Sequence, residues 1–510
     1  MKDIGNLIDR LPVSKFVLAL AVVLSVSAWY WSFTNNFVLT YNDAASHLNI
    51  ARRIVDNYTP GFAQIGTVWL PLPHFLMLFF AWNDFLWKTA IAGSIVSMAS
   101  YVICVFLTFK TIHLLTKSKI GALIGALVMA LNPNFLYLQA SPMTEPLLLA
   151  TFVTALYFLC RYWITKNTTF LILTGASVML STLVRYDGWF LFIVLLILIP
   201  LAGFLRDGFK RAEGEVILFA TIGGLGVGLW LLWNWTIFGD PLYFILGPYS
   251  AYAQQKVLDS VGQLPTKGNW FNAAFYFTWS VIGNNGIVIT VTGLIASVVS
   301  IFLVKKKVQI LLILAVLSPF AFNVLALYIG QSAMNVPQAL KDPGMFNIRY
   351  GIMLLPAFSL LLGIIASRVK VIGILIVAVI IIIQSYLFYQ EGKPISLQDG
   401  IHGYYNTYYT VEASKWLSDN YEGGLILTAL ASHDAFVARA QIPMKNYIHE
   451  GNRQYWENAL KTPSKSIEYI ALLTFPPDAV YKRLKDNPDF INNYVKVHNY
   501  KEFEIYKKKN

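Results

Sequence analysis

Long apolar runs recur along most of the chain, and each is close to the length of a membrane span. The first extends from Phe16 to Phe33, roughly 18 residues, which is enough to cross the hydrocarbon core of a bilayer. Ten similar runs follow before residue 390. We therefore predict a polytopic α-helical membrane protein with about eleven transmembrane helices, at residues 16–33, 89–109, 120–138, 146–163, 168–184, 188–205, 216–238, 286–304, 308–329, 350–366 and 370–389.

Loops rich in Lys and Arg alternate along the chain with loops that contain few of them, and this pattern predicts the orientation of the spans. With the N-terminus in the cytoplasm, sixteen Lys and Arg residues lie inside and eight lie outside, the expected positive-inside bias. The inner set is Lys2, Arg10, Lys15, Lys110, Lys117, Lys119, Arg161, Lys166, Arg206, Lys210, Arg211, Lys305, Lys306, Lys307, Arg368 and Lys370, and the outer set is Arg52, Arg53, Lys88, Arg185, Lys256, Lys267, Lys341 and Arg349. The first span ends in aromatic residues without a small-residue cleavage site, so we predict an uncleaved anchor.

Two further apolar segments do not fit a simple span. Residues 69–82 contain Pro71 and Pro73 and are too short, which favours an interfacial or re-entrant helix. Residues 270–282 are rich in aromatic side chains and predict an interface helix that leads into the next span.

Beyond about residue 400 the pattern changes to short apolar runs separated by helical periodicity. Strand-like runs lie at Leu425–Leu430, Tyr469–Leu473 and Tyr494–Val497, with helical patterns between them. This alternation predicts a small α/β domain. An odd number of spans places it outside, so we divide the chain into a transmembrane domain (residues 1–390) and an extracytoplasmic domain (residues 391–510).

Composition supports the membrane class and narrows the function. Of 510 residues, 56% are hydrophobic and 13% are charged, about half the share typical of soluble domains. The net charge of +12 fits basic cytoplasmic loops, and no nucleic-acid-binding module is present. The two cysteines, Cys104 and Cys160, both lie in apolar runs and cannot form a cysteine-based metal site. A cysteine-free outer domain is common in bacteria and archaea.

Carboxylates on the predicted outer side lie at the ends of spans, where partial desolvation is costly unless the group is used or paired. After the first span, Asp43 and His47 are four residues apart and share a helix face, so they can hold a proton, a metal ion or a hydroxyl group. Alternatively, Asp43 caps the helix. His74, a single histidine in an apolar segment, is either a structural residue or a metal ligand.

Three other polar features lie at predicted outer span ends. Glu145 lies in the proline-flanked hairpin of residues 141–146, where it either contributes chemistry or favours the dipole of the next helix. Arg185, Tyr186 and Asp187 form either a site or a surface ion pair. The pair Arg349-Tyr350 supplies either a phosphate clamp or a snorkelling anchor.

With these motifs the chain resembles the GT-C superfamily of integral-membrane glycosyltransferases, in particular the protein O-mannosyltransferase and lipid A aminoarabinose transferase group. The resemblance covers roughly residues 15–390. Asn42-Asp43 with Ala51-Arg52-Arg53 is similar to the acidic motif of the first outer loop, Glu145 stands at the position of a second acid, and Arg349-Tyr350 is similar to a late arginine near the lipid phosphate. Ala44 replaces the acid that usually follows the catalytic aspartate.

The resemblance implies transfer of a hexose- or pentose-type sugar from a polyprenyl-phosphate donor to a hydroxyl of a lipid, glycan or protein acceptor, on the outer face of the plasma membrane. A single inverting displacement is implied, with Asp43 and Glu145 catalytic and Asp43 as the base. The substrate-binding residues expected are His47, Arg52, Arg185, Tyr186, Asp187, Arg349 and Tyr350. A divalent metal ion, with Asp43, His47, Glu145 and His74 as possible ligands, is left open.

The alternative is a multi-pass transporter or flippase for a lipid-linked saccharide, with an external binding domain. That class predicts ionisable residues and broken helices near the middle of the bilayer. The predicted spans have almost no acidic residues at mid-depth, and no internal repeat is visible. Both observations favour the transferase.

Overall fold

The computed structural model describes residues 12–248, 250–303, 307–339, 344–368, 370–474 and 478–509. Lys2, Arg10, Lys305, Lys306 and Lys341, which contributed to the predicted orientation, lie outside these ranges. The helices are α1 (Val13–Thr34), α2 (Asn42–Arg52), α3 (Leu72–Ala81), α4 (Asp84–Lys88), α5 (Ile91–Thr116), α6 (Lys119–Ala130), α7 (Pro133–Leu138), α8 (Glu145–Thr165), α9 (Thr168–Thr182), α10 (Tyr186–Asp207), α11 (Phe209–Phe238), α12 (Tyr243–Leu246), α13 (Ala251–Ser260), α14 (Trp270–Asn285), α15 (Ile287–Leu303), α16 (Lys307–Tyr328), α17 (Leu355–Ala366), α18 (Lys370–Glu391), α19 (Ile395–Asn406), α20 (Tyr408–Asn420), α21 (Leu430–Ala440), α22 (Gln454–Lys461), α23 (Ala479–Leu484) and α24 (Pro488–Asn493). The strands are β1 (Leu425–Leu427), β2 (Tyr447–Ile448), β3 (Ile467–Leu473), β4 (Tyr494–Tyr500) and β5 (Phe503–Lys508).

The chain forms two compact units that do not follow the linear division expected from sequence. The first unit comprises Met1–Phe37, Thr67–Leu72 and Val96–Asp399. The second comprises Val38–Gly66, Pro73–Ile95 and Gly400–Asn510. The C-terminal domain therefore shares its unit with two segments from the early part of the chain, which include α2, α3 and α4.

The first unit is a bundle of apolar helices, as the hydrophobic pattern predicts. Among the described residues, seven helices are long and apolar enough to span a membrane, and up to eight if the pair α14 and α15 counts as one span. Each of the eleven predicted runs coincides with helix, but residues 168–184 form the 15-residue α9 and residues 120–138 divide into α6 and α7. The break follows from Asn132, whose side chain caps α7, and from Pro133 in the first turn of that helix. The total of eleven spans and their orientation remain predictions.

Two close approaches in the first unit depend on glycine. Helices α14 and α15 meet at a 113° bend, where Gly286 has a φ of 81° and a side chain would collide with Gln384. Helices α6 and α17 approach so closely that a Cβ atom on Gly121 would lie 2.6 Å from the carbonyl oxygen of Gly363. Small residues allow apolar helices to pack at this distance in a membrane.

The second unit contains a five-stranded mixed sheet with strand order β2-β1-β3-β5-β4. Strand β1 pairs in parallel with β2 and β3, while β5 pairs antiparallel with β3 and β4. The strand-like runs predicted from sequence correspond to β1, β3 and β4, and the predicted α/β domain is confirmed. Its core packs the inner face of the sheet against α22, α23 and α24 through Leu427, Ile448, Trp456, Leu460, Ile467, Ile470, Leu472, Val480, Leu484 and Phe490.

Candidate substrate site

The first unit brings together four charged residues that the sequence places at three separate span ends. Glu145 begins α8, Arg185 and Asp187 flank the start of α10, and Arg349 lies in the 3₁₀ segment Ile348–Leu354. Arg349 Nε and Arg185 Nη1 donate to the same oxygen, Oε1 of Glu145, at 3.0 and 3.2 Å. Arg185 Nε donates to Asp187 Oδ2 at 3.2 Å. We call these four residues, with Tyr350, the arginine cluster.

The arginine cluster is largely removed from solvent. The exposed fractions of the side chains are 1% for Glu145, 5% for Arg349, 10% for Asp187 and 19% for Arg185. Two guanidinium groups and two carboxylates balance in charge, as burial requires. Within the described residues, Oε2 of Glu145 and Oδ1 of Asp187 are buried without a hydrogen-bond partner. Each of these oxygens can accept a hydrogen bond from a water molecule or from a ligand.

Tyr350 fixes the position of both arginines. The Cζ atoms of Arg185 and Arg349 lie 4.7 and 5.0 Å from the centroid of its ring. Cation–π contacts of this kind strengthen when they are shielded from water. Of the two guanidinium groups, that of Arg185 is the more exposed.

Polar side chains of α14 hold the 3₁₀ segment that carries Arg349. Ser280 Oγ and Asn284 Nδ2 both donate to the carbonyl oxygen of Ile348 at 2.6 Å, and Asn285 Nδ2 donates to that of Gly351 at 2.9 Å. Sequence reasoning missed these residues. The signal was Asn284 and Asn285, which follow Ser280 by four and five positions at the end of an aromatic-rich segment.

A small cavity adjoins the arginine cluster. Asp187 and Ser181 line it, and Ser181 Oγ is also buried without a partner among the described residues. The remaining walls are mostly apolar, from Leu148, Leu149, Phe152, Phe190, Leu191, Ser318, Pro319, Phe322 and Met353. Tyr186, predicted to bind substrate, instead stacks on Phe244 at 5.7 Å in a separate aromatic cluster.

The second unit holds the acidic motif that follows the first span. Helix α2 is buried from Ala44 to Arg52, whereas Asn42 and Asp43 keep partial exposure. The N-cap residue is Tyr41, without a side-chain cap, so Asp43 does not cap the helix as the alternative interpretation supposed. It lies in the first turn, where the helix dipole favours a negative charge.

His47 and His74 form a buried pair in the same unit. His47 Nδ1 and His74 Nε2 lie 2.9 Å apart, so one ring nitrogen carries the shared proton and the other accepts it. The pair joins α2 to α3. Among the described residues, no group of three or more His, Cys, Asp and Glu side chains is arranged to hold a metal ion. Glu145 is held by arginines, so a divalent metal at these residues remains a prediction without structural support.

The side chain of Arg52 forms its hydrogen bonds within the second unit. Its Nε donates to Asp56 Oδ2 at 2.9 Å, and its Nη1 donates to the carbonyl oxygens of Ala81 and Trp82 at 3.0 and 2.8 Å. Its Nη2 contacts Asp84 as well. We therefore assign Arg52 to the connection between α2, α3 and α4 rather than to substrate.

A second buried charge cluster in this unit was not predicted from sequence. Burial lowers the pKa of Arg53 and raises the pKa values of Asp434 and Glu450. The attraction between the charges of Arg53 and Asp434 partly offsets the effect of burial on the pKa of each. Burial, together with the charge of Arg53, lowers the pKa of His449 to about 3. Members of this cluster come from both the early segments and the C-terminal domain.

Comparison with known proteins shows which family and which solved structures the chain is similar to. Residues 73–223, less than a third of the chain, match the family of dolichyl-phosphate-mannose-protein mannosyltransferases. The crystal structure of ArnT from Cupriavidus metallidurans bound to undecaprenyl phosphate is similar over 96% of this chain and 97% of that chain, with a TM-score of 0.57 and 11% identity. The apo state of the same protein gives the same coverage, a TM-score of 0.50 and 12% identity. A search of curated protein sequences finds no match.

The chain is therefore a polytopic helical membrane protein with a fold like that of ArnT, and the predicted resemblance to GT-C glycosyltransferases is confirmed by this fold and by the partial family match. Among solved structures it is similar to ArnT along almost its whole length. At 11% identity this similarity concerns the fold, so the chemistry has to be argued from the residues of this chain.

Proposed function

We propose that the protein is a glycosyltransferase that moves a sugar from a polyprenyl-phosphate donor to a hydroxyl acceptor on the outer face of a bacterial or archaeal plasma membrane. The observation that carries the proposal is the arginine cluster. Two guanidinium groups converge on one oxygen of a buried glutamate at a span end, where the phosphate of a membrane lipid lies. The similar ArnT structure contains undecaprenyl phosphate, a ligand of this class.

In the proposed reaction the acceptor oxygen attacks the anomeric carbon as the bond from that carbon to the phosphate oxygen breaks. Asp43 takes the proton of the acceptor hydroxyl, a role typically worth about 10² to 10⁴-fold in rate. The bonding electrons leave with the phosphate, and Arg185 and Arg349 stabilise the negative charge that grows on it. A single displacement of this kind inverts the anomeric configuration.

The geometry refines the role of Glu145. Its Oε1 accepts from both arginines and its side chain is almost fully buried, so it is poorly placed to exchange protons with an acceptor. We propose that Glu145 sets the separation of the two guanidinium groups. Arg185, the more exposed of the two, then contacts the phosphate, and Asp187 orients Arg185.

The test is transfer of a radiolabelled sugar from polyprenyl-phosphate donors by the full chain in proteoliposomes. Arg185→Gln and Arg349→Gln are expected to lose most of the transfer, whereas Arg368→Gln, the same change at an exposed arginine of the same unit, should retain it. Undiminished transfer by both variants would overturn the proposal. Movement of the intact donor across the bilayer without release of its phosphate would support the transporter instead.

The sugar and the acceptor follow from a second experiment. Glycolipids, surface glycans and glycoproteins are compared by mass spectrometry in cells with and without the gene. The class that loses a hexose or pentose residue identifies the acceptor as lipid, glycan or protein. An unchanged set of all three classes would contradict the proposed activity.

A further inference from the structure

Helix α2 carries the proposed base at its exposed end and is otherwise enclosed by the second unit. The residues that enclose it come from two directions. The side chains of His47 and Arg52 contact α3 and α4, as described above. Asn42, Ala45 and Asn49, spaced three and four positions apart, form another face of the helix. That face contacts the C-terminal domain.

The first contact lies beside Asp43 itself. Asn42 Nδ2 donates to Thr407 Oγ1 at 3.2 Å, although the two residues are 365 positions apart. Thr407 lies at the junction of α19 and α20, and its hydroxyl in turn donates to the carbonyl oxygen of Gly403 at 2.9 Å. The start of α2 is therefore fixed by a side chain of the C-terminal domain.

The second contact lies in the middle of α2. Asn49 is fully buried, and its Nδ2 donates to the carbonyl oxygen of Asp434 at 2.8 Å. One turn earlier, Ala45 packs against Ala435 and Ala438 of α21. Alanine on both helices allows α2 and α21 to approach closely, so rotation of α2 about its axis would separate this pair and break the bond of Asn49.

The third contact lies just after α2. Asp56 accepts hydrogen bonds from the backbone N–H groups of Met444 and Lys445, both at 3.1 Å. The next residue, Asn57, lies 3.1 Å from His449 Nε2 and accepts from Asn452 Nδ2 at 2.8 Å. The same Asp56 carboxylate accepts from Arg52, so the end of α2 is joined to the C-terminal domain through its own arginine.

We propose that the C-terminal domain is a positioning element of the catalytic centre, which fixes the rotation and the register of α2 and thereby the direction of the Asp43 carboxylate. The inference rests on the proposed function, because it takes Asp43 as the base. Thr407 and Asn49 are its positioning residues. A shift of about 1 Å in a reacting group can reduce the rate about 100-fold, so loss of one anchor is expected to be visible in kcat.

The test compares Asn49→Ala and Thr407→Val with two matched controls in the same unit. In Asn493→Ala the hydrogen bond to the carbonyl oxygen of Asp489 is lost, and in Thr474→Val the hydrogen bond to the carbonyl oxygen of Glu502 is lost. Neither of these hydrogen bonds involves α2. We expect kcat to fall at least tenfold in Asn49→Ala and Thr407→Val and to stay within twofold in the controls. The KM for the donor should be unchanged, because arginines of the first unit bind the phosphate.

A double-mutant cycle separates positioning from general loss of structure. If Asn49 and Thr407 act through Asp43, adding Asn49→Ala or Thr407→Val to Asp43→Asn does not reduce its residual transfer any further. If they cause a general structural defect, each reduces the transfer of Asp43→Asn by the same factor as it reduces the transfer of the native chain. Thr407→Val changes only a partly exposed hydroxyl and remains informative where Asn49→Ala fails to insert.

Two results would overturn the inference even if Asp43 is the base. The first is a kcat within twofold of the native value in both anchor variants while Asp43→Asn lowers transfer by about 10² to 10⁴-fold, which leaves the proposed function intact. The second is a kcat loss accompanied by an equal rise in donor KM, which indicates general disorder. Full transfer by Asp43→Asn would instead remove the base assignment, and the inference with it.

Discussion

Replacement of Glu145 by glutamine tests the arginine cluster directly, because it keeps the size of the side chain and removes only its charge. Arg349 then loses its buried carboxylate partner, while Arg185 keeps Asp187 at 3.2 Å. Removal of one partner from a buried ion pair costs about 3–5 kcal/mol. The amide oxygen still accepts a hydrogen bond and Tyr350 still contacts both arginines, so we expect the lower end, about 3 kcal/mol.

The chain contains a matched control for this substitution. Glu215 is a second buried glutamate of the first unit, and its Oε1 accepts from Arg206 and Arg211, both at 3.0 Å. Glu215→Gln therefore removes the same charge from the same kind of environment, but away from the arginine cluster. We expect both variants to unfold at lower temperature, measured by tryptophan fluorescence in detergent micelles. Only Glu145→Gln should raise the KM for the polyprenyl-phosphate donor, by about tenfold, because it alone disturbs the arginines that we propose bind the phosphate.

Two results would refute this reasoning. If Glu145→Gln unfolds at the native temperature while Glu215→Gln does not, the charges of the arginine cluster are not coupled as the distances indicate. If Glu145→Gln is destabilised but its donor KM matches that of Glu215→Gln, the cluster is structural and the phosphate binds elsewhere.

Three further predictions follow from the site and its surroundings. His449 has a pKa of about 3 in the folded protein, so below about pH 6.5 the unfolded chain binds a proton that the folded chain does not bind. The free energy of unfolding is therefore highest above pH 6.5 and decreases as the pH falls towards 3, by about 2 kcal/mol at pH 5. Thermal unfolding at pH 7.5 and pH 5 should show a smaller decrease in stability for His449→Gln than for the native chain. Tyr350→Leu should raise the donor KM several-fold because two cation–π contacts are lost, whereas Tyr350→Phe should behave as the native chain; equal effects of the two would assign the role to the hydroxyl. Asp43→Asn should lower sugar transfer by about 10² to 10⁴-fold with unchanged expression in the membrane, and Asp489→Asn serves as the control.

The sequence predicted the class of fold because length and apolar composition are local properties. Each of the eleven long apolar runs coincides with helix, and the change to short apolar runs near residue 400 marks the sheet domain. What it missed depends on distant residues. The pairing of Glu145 with Arg349 joins positions 204 apart, and the short strand β2 exists only because β1 lies beside it.

The candidate residues divide in the same way. Arg185, Asp187, Arg349 and Tyr350 were found because charges at span ends are conspicuous in an apolar chain, and the structure places them together. Tyr186 was predicted to bind substrate because it lies between Arg185 and Asp187 in sequence. In the structure its side chain packs in a separate aromatic cluster, where it stacks on Phe244. The C-terminal anchors of α2 carried no signal, since Thr407 and the backbone groups of residues 434, 444 and 445 are ordinary in sequence.

The composite second unit has a consequence for biosynthesis. Helix α2 leaves the ribosome 365 residues before Thr407, the partner of Asn42. At about 5–20 residues per second, translation of that interval takes on the order of 20–70 seconds. Throughout this time Asn49 and Asp56 have no partners from the C-terminal domain, so a nascent chain that stalls or terminates before residue 407 holds α2 only through its contacts with α3 and α4.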